Sequence, residues 1–228
     1  MRRIIAPLLI GVIGAAILLW LCAWQVQRMA WKASTLAEID AMLVEAPVAL
    51  PALVSAERDR YRGVVVQGRF TGEAVFKLDS LQGEGPGKRV IAVFEMTGGR
   101  RIMIDRGIWL EGAEAAPDVA PDEGQVAEVA GNLDWPRETD SFTPPPDAAT
   151  GLWFARDVPA MAAALNTEPV MVVTWAADPA DPALVAIPVD TTHIPNDHLT
   201  YAITWFSLAV VWLGMTFYLL WRIRQRTA

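Results

Sequence analysis

Two uninterrupted apolar stretches, Ile4 to Val26 and Leu199 to Trp221, stand at opposite ends of the chain, each 23 residues long. At about 1.5 Å per helical residue, each reaches across a hydrocarbon core of about 30 Å. The pattern predicts two transmembrane helices. After the first stretch the period changes. Leu36, Ile39, Met42 and Leu43 recur at steps of three and four with Lys32, Glu38, Asp40 and Glu45 between them. That is an amphipathic helix continuing the first span out of the membrane. Ala46-Pro47 ends it. Its apolar face packs on the domain that follows or lies on lipid headgroups.

The middle of the chain reads as short strands. Tyr61 to Phe70 stops at Thr71-Gly72, and Ala74 to Leu78 stops near Asp79-Ser80. Gln82 to Gly87 reads as a flexible glycine loop. Arg89 to Met96 and Arg100 to Asp105 flank Thr97-Gly98-Gly99, a strong hairpin signal because glycine supplies the positive φ of a tight turn. A loop from Gly112 to Gly124 leads to a strand over Gln125 to Leu133. Pro144-Pro145-Pro146 marks an extended connection. Asp157 is the expected N-cap of a short helix to Leu165, with Pro159 in its first turn, and Val170 to Trp175 is a final strand. The expected fold is a membrane protein. Two transmembrane helices (4–26 and 199–221) flank an α+β, mostly antiparallel-β extramembrane domain (27–198), built as an antiparallel sheet or partly closed barrel.

Charge orients this plan. All 26 acidic residues lie between Glu38 and Asp197, whereas the tips carry only arginine: Arg2, Arg3, Arg222, Arg224 and Arg226. Basic residues stay on the cytoplasmic side of a membrane. Both termini are therefore expected in the cytoplasm and the middle on the opposite, periplasmic side of a bacterial inner membrane. Trp20, Trp24, Trp205 and Trp221 suit an interfacial belt. The first stretch exceeds the usual 7–15 apolar residues of a signal-peptide core, and it runs unbroken into Trp24-Gln25-Val26-Gln27-Arg28. It is read as a retained anchor. The middle carries 14 basic against 26 acidic residues, a net −12. That excludes nucleic acid as a natural partner. The single cysteine, Cys22, falls in the first apolar stretch, so no intrachain disulfide forms and packing must hold the domain.

Catalytic patterns are scarce, and the chain is not expected to be an enzyme. None of the five serines sits in a Gly-Xaa-Ser-Xaa-Gly turn. The glycines at 83, 85 and 87 lack a following Lys-Ser/Thr. The only histidines are His193 and His198. A zinc site would need both, with Asp190 and Asp197. His198 stands one residue before the second apolar stretch. It is either an interfacial side chain that caps or hydrogen-bonds among headgroups, or a ligand. Neutral imidazole is a common axial ligand of haem iron. A macrocycle there would lie against Leu199, Tyr201, Ala202 and Trp205.

Five segments resemble the Surfeit locus protein 1 family, assembly factors of haem–copper cytochrome c oxidases. They are Trp24-Gln25-Val26-Gln27-Arg28 with Trp31-Lys32; Tyr61-Arg62 leading to Gly68-Arg69-Phe70; Asp105-Arg106-Gly107; Trp153-Phe154-Ala155-Arg156-Asp157; and Pro195 to Phe206, reading PNDHLTYAITWF. The resemblance spans nearly the whole chain in the same two-span plan. Two places depart from it: Ile108 intervenes before Trp109, and Asp134 takes a position usually basic. The resemblance implies a chaperone of respiratory-chain biogenesis that helps haem a reach oxidase subunit I, with subunit I and haem a synthase as partners. It also implies His198 as the haem iron ligand, with Tyr201 and Trp205 beside it. Arg106 and Arg69 are either propionate or partner contacts, or ordinary surface charges. The alternative function is a membrane-anchored scaffold that stabilises an oxidase intermediate without touching haem.

Overall fold

The structure is a computed structural model that describes residues 2–119, 126–147, 149–192, 194 and 196–225. His193, Pro195, Asp122, Gly124, Gln125 and Arg226 lie outside the described residues. The chain divides into two compact units, one of residues Met1–Glu38 with Thr191–Ala228 and one of Ile39–Asp190.

In chain order the elements are α1 (Arg2–Val44), β1 (Val48–Ala49), α2 (Ala56–Asp59), β2 (Gly63–Leu81), β3 (Gly85–Met96), β4 (Arg101–Leu110), β5 (Ala127–Leu133), β6 (Leu152–Trp153), α3 (Val158–Leu165), β7 (Met171–Asp178) and α4 (His198–Gln225). The apolar stretch and the amphipathic segment after it are thus one continuous helix, α1. Helices α1 and α4 are long and apolar enough to cross a membrane, and only 11% and 6% of their apolar windows are buried.

The second unit is a closed barrel. Strand β2 pairs with β3, β3 with β4, β4 with β7, β7 with β5, and β5 returns to β2. Four of these seams are antiparallel, and β4–β7 is parallel. The expected antiparallel sheet or partly closed barrel is thus a barrel closed along these five seams, which leaves fewer exposed sheet edges. Closure depends on the length of β2. Its first residues, Gly63 to Gly68, pair with β5, and Gly68 to Leu81 pair with β3. At the handover a Cβ on Gly68 would stand 2.2 Å from the Glu95 carbonyl oxygen, so only glycine fits.

Several strand ends differ from the sequence expectation. Thr71-Gly72 does not end a strand. The register shifts between Phe70 and Ala74, and β2 continues through the bulge. The supposed loop of Gln82 to Gly87 is a tight turn, with Gly85, Pro86 and Gly87 already laddered to Leu81, Ser80 and Asp79. Strand β4 runs on to Leu110, and the described part of β5 begins at Ala127. The Thr97-Gly98-Gly99 hairpin stands as expected, with Gly99 at φ +82°.

Strand β3 is buried on both faces, which explains its unbroken apolar run Val90 to Phe94. Ala92 and Phe94 point into the barrel with Val64, Val66, Phe70, Ile102, Ile104, Val129, Leu133 and Val172. Phe70 and Phe94 meet edge to face at 5.0 Å. Ile91 and Val93 face outward and are covered by α3 through Val158, Met161, Ala162 and Leu165. That i, i+3, i+4, i+7 spacing gives α3 one apolar stripe. Asp157 caps it by accepting from the Ala160 N–H at 3.1 Å, and Asn166 closes it in the left-handed region.

Candidate functional site

Helices α1 and α4 touch through their smallest residues. A Cβ on Gly11 would stand 2.1 Å from Thr216 Cγ2, and one on Gly14 2.5 Å from the Trp212 indole. Ala15, Ala202 and Ala209 are buried. Small residues let two helix backbones approach closely. The Trp212 indole N–H donates to the Gly11 carbonyl at 2.9 Å. Gln25 lies as many residues beyond Gly11 as His198 lies before Trp212, about four helical turns. The same antiparallel register therefore brings Gln25 to His198. The imidazole Nδ1 lies within hydrogen-bond distance of Gln25 Oε1, at 2.8 Å. Gln25 is 9% exposed and His198 half-buried.

Tyr201, Ala202 and Trp205 follow His198 at i+3, i+4 and i+7, one stripe of α4. Ala202 is buried, Trp205 half-buried and Tyr201 exposed. Leu199 is exposed off that stripe. So the structure groups His198, Tyr201 and Trp205 on one helix face and adds Gln25 from the other helix. The described residues contain no cluster of three or more His, Cys, Asp or Glu able to hold a bare metal ion.

Arg106 belongs to the barrel unit, and its side chain is occupied there. It donates to the Asp118 carbonyl at 2.5 Å and to Asp181 at 3.2 Å, and its guanidinium lies 4.4 Å above the Phe70 ring. Burial pulls its pKa below the ordinary arginine value, outweighing the charges of Asp181 and Asp118. It lines a cavity of about 280 Å³ with Phe70, Thr174, Trp175 and Leu184. Arg69 is exposed and meets Glu95 at 3.3 Å.

Asp105-Arg106-Gly107 is a β-bulge. The β3–β4 register shifts between Arg89 and Ile91, and Gly107 takes φ +103°, a region unfavourable to other residues. The bulge aims Asp105 away from Arg106, into a set of charges the sequence did not single out. Asp105 is fully buried and accepts from Arg89 at 2.9 Å, Arg156 at 3.1 Å and the Gly107 N–H at 3.2 Å. Arg89 also holds Asp79 at 2.9 Å, and Arg156 holds Glu138 at 2.9 Å. Lys77 stands 3.3 Å from Asp79 and 3.7 Å from Glu138. Three cations face three anions, so no charge is buried unopposed. Burial alone would raise the Asp79 and Glu138 carboxyls, but Arg89, Arg156 and Lys77 hold both below the usual carboxylate range. Burial opposes the charge of Arg156 too, yet Asp105 and Glu138 raise its pKa well above the ordinary value. The available signal was a charged residue beside or inside an apolar run: Arg89 directly before Val90 to Phe94, and Asp105 following Ile102-Met103-Ile104.

The segments read from the sequence thus meet in pairs. Gln25 of the first touches His198 of the fifth. Phe70 of the second lies under Arg106 of the third, and Asp105 of the third binds Arg156 of the fourth. The SURF1 family model matches residues 12–210. The chain belongs to the SURF1 family. A SURF1-like protein of Drosophila melanogaster is 29% identical over 207 residues, covering 82% of this chain and 68% of its own. Surfeit locus protein 1 of Rattus norvegicus is 26% identical, covering 81% and 66%. A SURF1-like protein of Rickettsia prowazekii is 25% identical, covering 82% and 78%. The chain spans about two thirds of the length of the fly and rat members of the SURF1 family and more of the bacterial one.

Proposed function

We propose that this SURF1-family chain is a membrane-anchored assembly factor for a haem–copper cytochrome c oxidase. It holds haem a through His198 on the way to subunit I. The reading places both termini in the cytoplasm of a bacterium and the barrel in the periplasm, because Arg222 and Arg224 end α4 and Arg2 and Arg3 begin α1. Segments 4–26 and 199–221 are the membrane-embedded parts and 27–198 the exported one. Family membership supports the assembly role.

The observation that carries the haem reading is the setting of His198. It is the first residue of an apolar helix, and its Nδ1 is engaged by Gln25. Among the described residues its Nε2 makes no hydrogen bond, so the residues present fit an axial ligand. Bound haem a would supply an iron for which the His198 imidazole would be a ligand. Tyr201 and Trp205, on the same face of α4 as His198, would help to hold the apolar body of the haem.

A scaffold without haem is the second reading. It is favoured by the commitment of Arg106, Arg89 and Arg156 to partners inside the barrel, which leaves these guanidinium groups engaged before any propionate arrives. The two readings separate in a strain that lacks the chain and assembles oxidase poorly. Restoring the chain raises the haem a content of the purified oxidase. Under the haem reading His198→Ala fails to do so, although the variant reaches the membrane at normal level. Full restoration by His198→Ala selects the scaffold.

A further inference from the structure

We infer that Gln25 is a positioning residue for His198: its side-chain carbonyl fixes the imidazole as the Nδ1–H tautomer and so turns a bare Nε2 outward as the ligating atom. The role in haem handling rests on the ligand reading of His198, whereas the tautomer is a property of the chain alone. An amide carbonyl oxygen only accepts, so at 2.8 Å from Gln25 Oε1 the ring nitrogen Nδ1 must be the donor. A neutral imidazole carries one N–H, and placing it on Nδ1 leaves the lone pair on Nε2. Ligating histidines are commonly oriented by an acceptor on their second nitrogen.

Geometry makes this contact more than incidental. Gln25 is a buried polar side chain within an apolar helix, a placement that costs free energy unless the amide is used. Its position opposite His198 is set elsewhere, by the close seating of Gly11 and Gly14 against Thr216 and Trp212 in the same register. That seating keeps the acceptor in place whether or not a ligand is present, so the ring is oriented before binding. Gln25 touches neither iron nor substrate in this scheme; it acts through the imidazole.

The test uses the full chain with ¹⁵N-labelled histidine in detergent micelles, in a His193→Asn background that leaves His198 as the one imidazole. Spectra are taken at about pH 8, above the ordinary imidazole range. The expected spectrum has a protonated Nδ1 and a bare Nε2. Gln25→Leu removes the acceptor at similar size, and the ring reverts to the Nε2–H form. Gln25→Glu keeps an acceptor and keeps the Nδ1–H form, so one variant remains informative if the other fails to reach the membrane. Titration with haem a is the second arm: Gln25→Leu binds about 10- to 100-fold more weakly than Gln25→Glu or the parent. An unchanged tautomer in Gln25→Leu, or a bare Nδ1 in the parent, overturns the inference. Equal haem binding by Gln25→Leu and the parent removes the positioning role but keeps His198 as ligand. A parent with the Nδ1–H form and no haem uptake keeps the hydrogen bond and ends the haem reading.

Discussion

In the helix pair, the polar side chain of Gln25 is hidden against one partner, the His198 imidazole; in the barrel, the Asp105 carboxylate is hidden between two guanidinium groups within a six-charge set. The costs of disturbing these arrangements differ. A neutral hydrogen bond contributes about 0.5–1.5 kcal/mol net, and less on average between membrane helices. Removing one member of a buried ion pair costs about 3–5 kcal/mol, because its partner stays charged and dry. The imidazole can therefore take a new ligand without endangering its unit, while the barrel network cannot be opened cheaply. Chemistry is expected where rearrangement is inexpensive, and the charged network is structural.

The sharpest way to break that comparison is Asp105→Ala. It strands Arg89 and Arg156 together and should destabilise the barrel by about 3–5 kcal/mol. Hydrogen-exchange protection should fall in β3 and β4 and stay unchanged in α1 and α4. A loss below about 1 kcal/mol would mean the network is dispensable.

Mild acid acts on the same network by degrees. The folded-state pKa values of Asp79 and Glu138 are depressed, so each contributes stability that is present above its unfolded value of about 4 and lost as pH falls through the folded value. The barrel should melt at steadily lower temperature below about pH 4, with the helix pair little affected. A barrel melting temperature flat down to pH 2 contradicts the charge assignment.

A smaller effect is expected from Gly11→Leu, whose side chain must displace Thr216. Overpacking of this kind typically costs about 1–3 kcal/mol. Spin labels on the two helices should move apart while barrel protection persists; loss of protection in both units would show that they are not independent. The smallest effect is Asp157→Ala. It removes the cap of α3 and should cost about 1 kcal/mol, read as faster exchange at Ala160 and Met161.

Much of this architecture was legible because local patterns carried it. Both long apolar helices announced themselves by length, the hairpin by Gly98-Gly99, and α3 by its cap and stripe. What stayed hidden was set by distant partners. Thr71-Gly72 read as a strand end because a bulge and a turn use the same residue types. Gly85-Pro86-Gly87 read as a loop because its ladder to Leu81, Ser80 and Asp79 leaves no hydrophobic period. Closure required β2 to find β5, and Asp105 required Arg156, 51 positions away. His198 was singled out because histidine is scarce and this one borders an apolar stretch. Its contact with Gln25 crosses 173 positions and depends on the seating of two glycines, which no local pattern reveals.

The central claim, that His198 is the ligand, is tested most directly by the visible spectrum of the full chain purified after co-expression with haem a synthesis. The parent and His193→Ala should carry a haem Soret band at equal strength, and His198→Ala should lack it at the same membrane abundance. A full Soret band in His198→Ala, or none in the parent, would contradict the account.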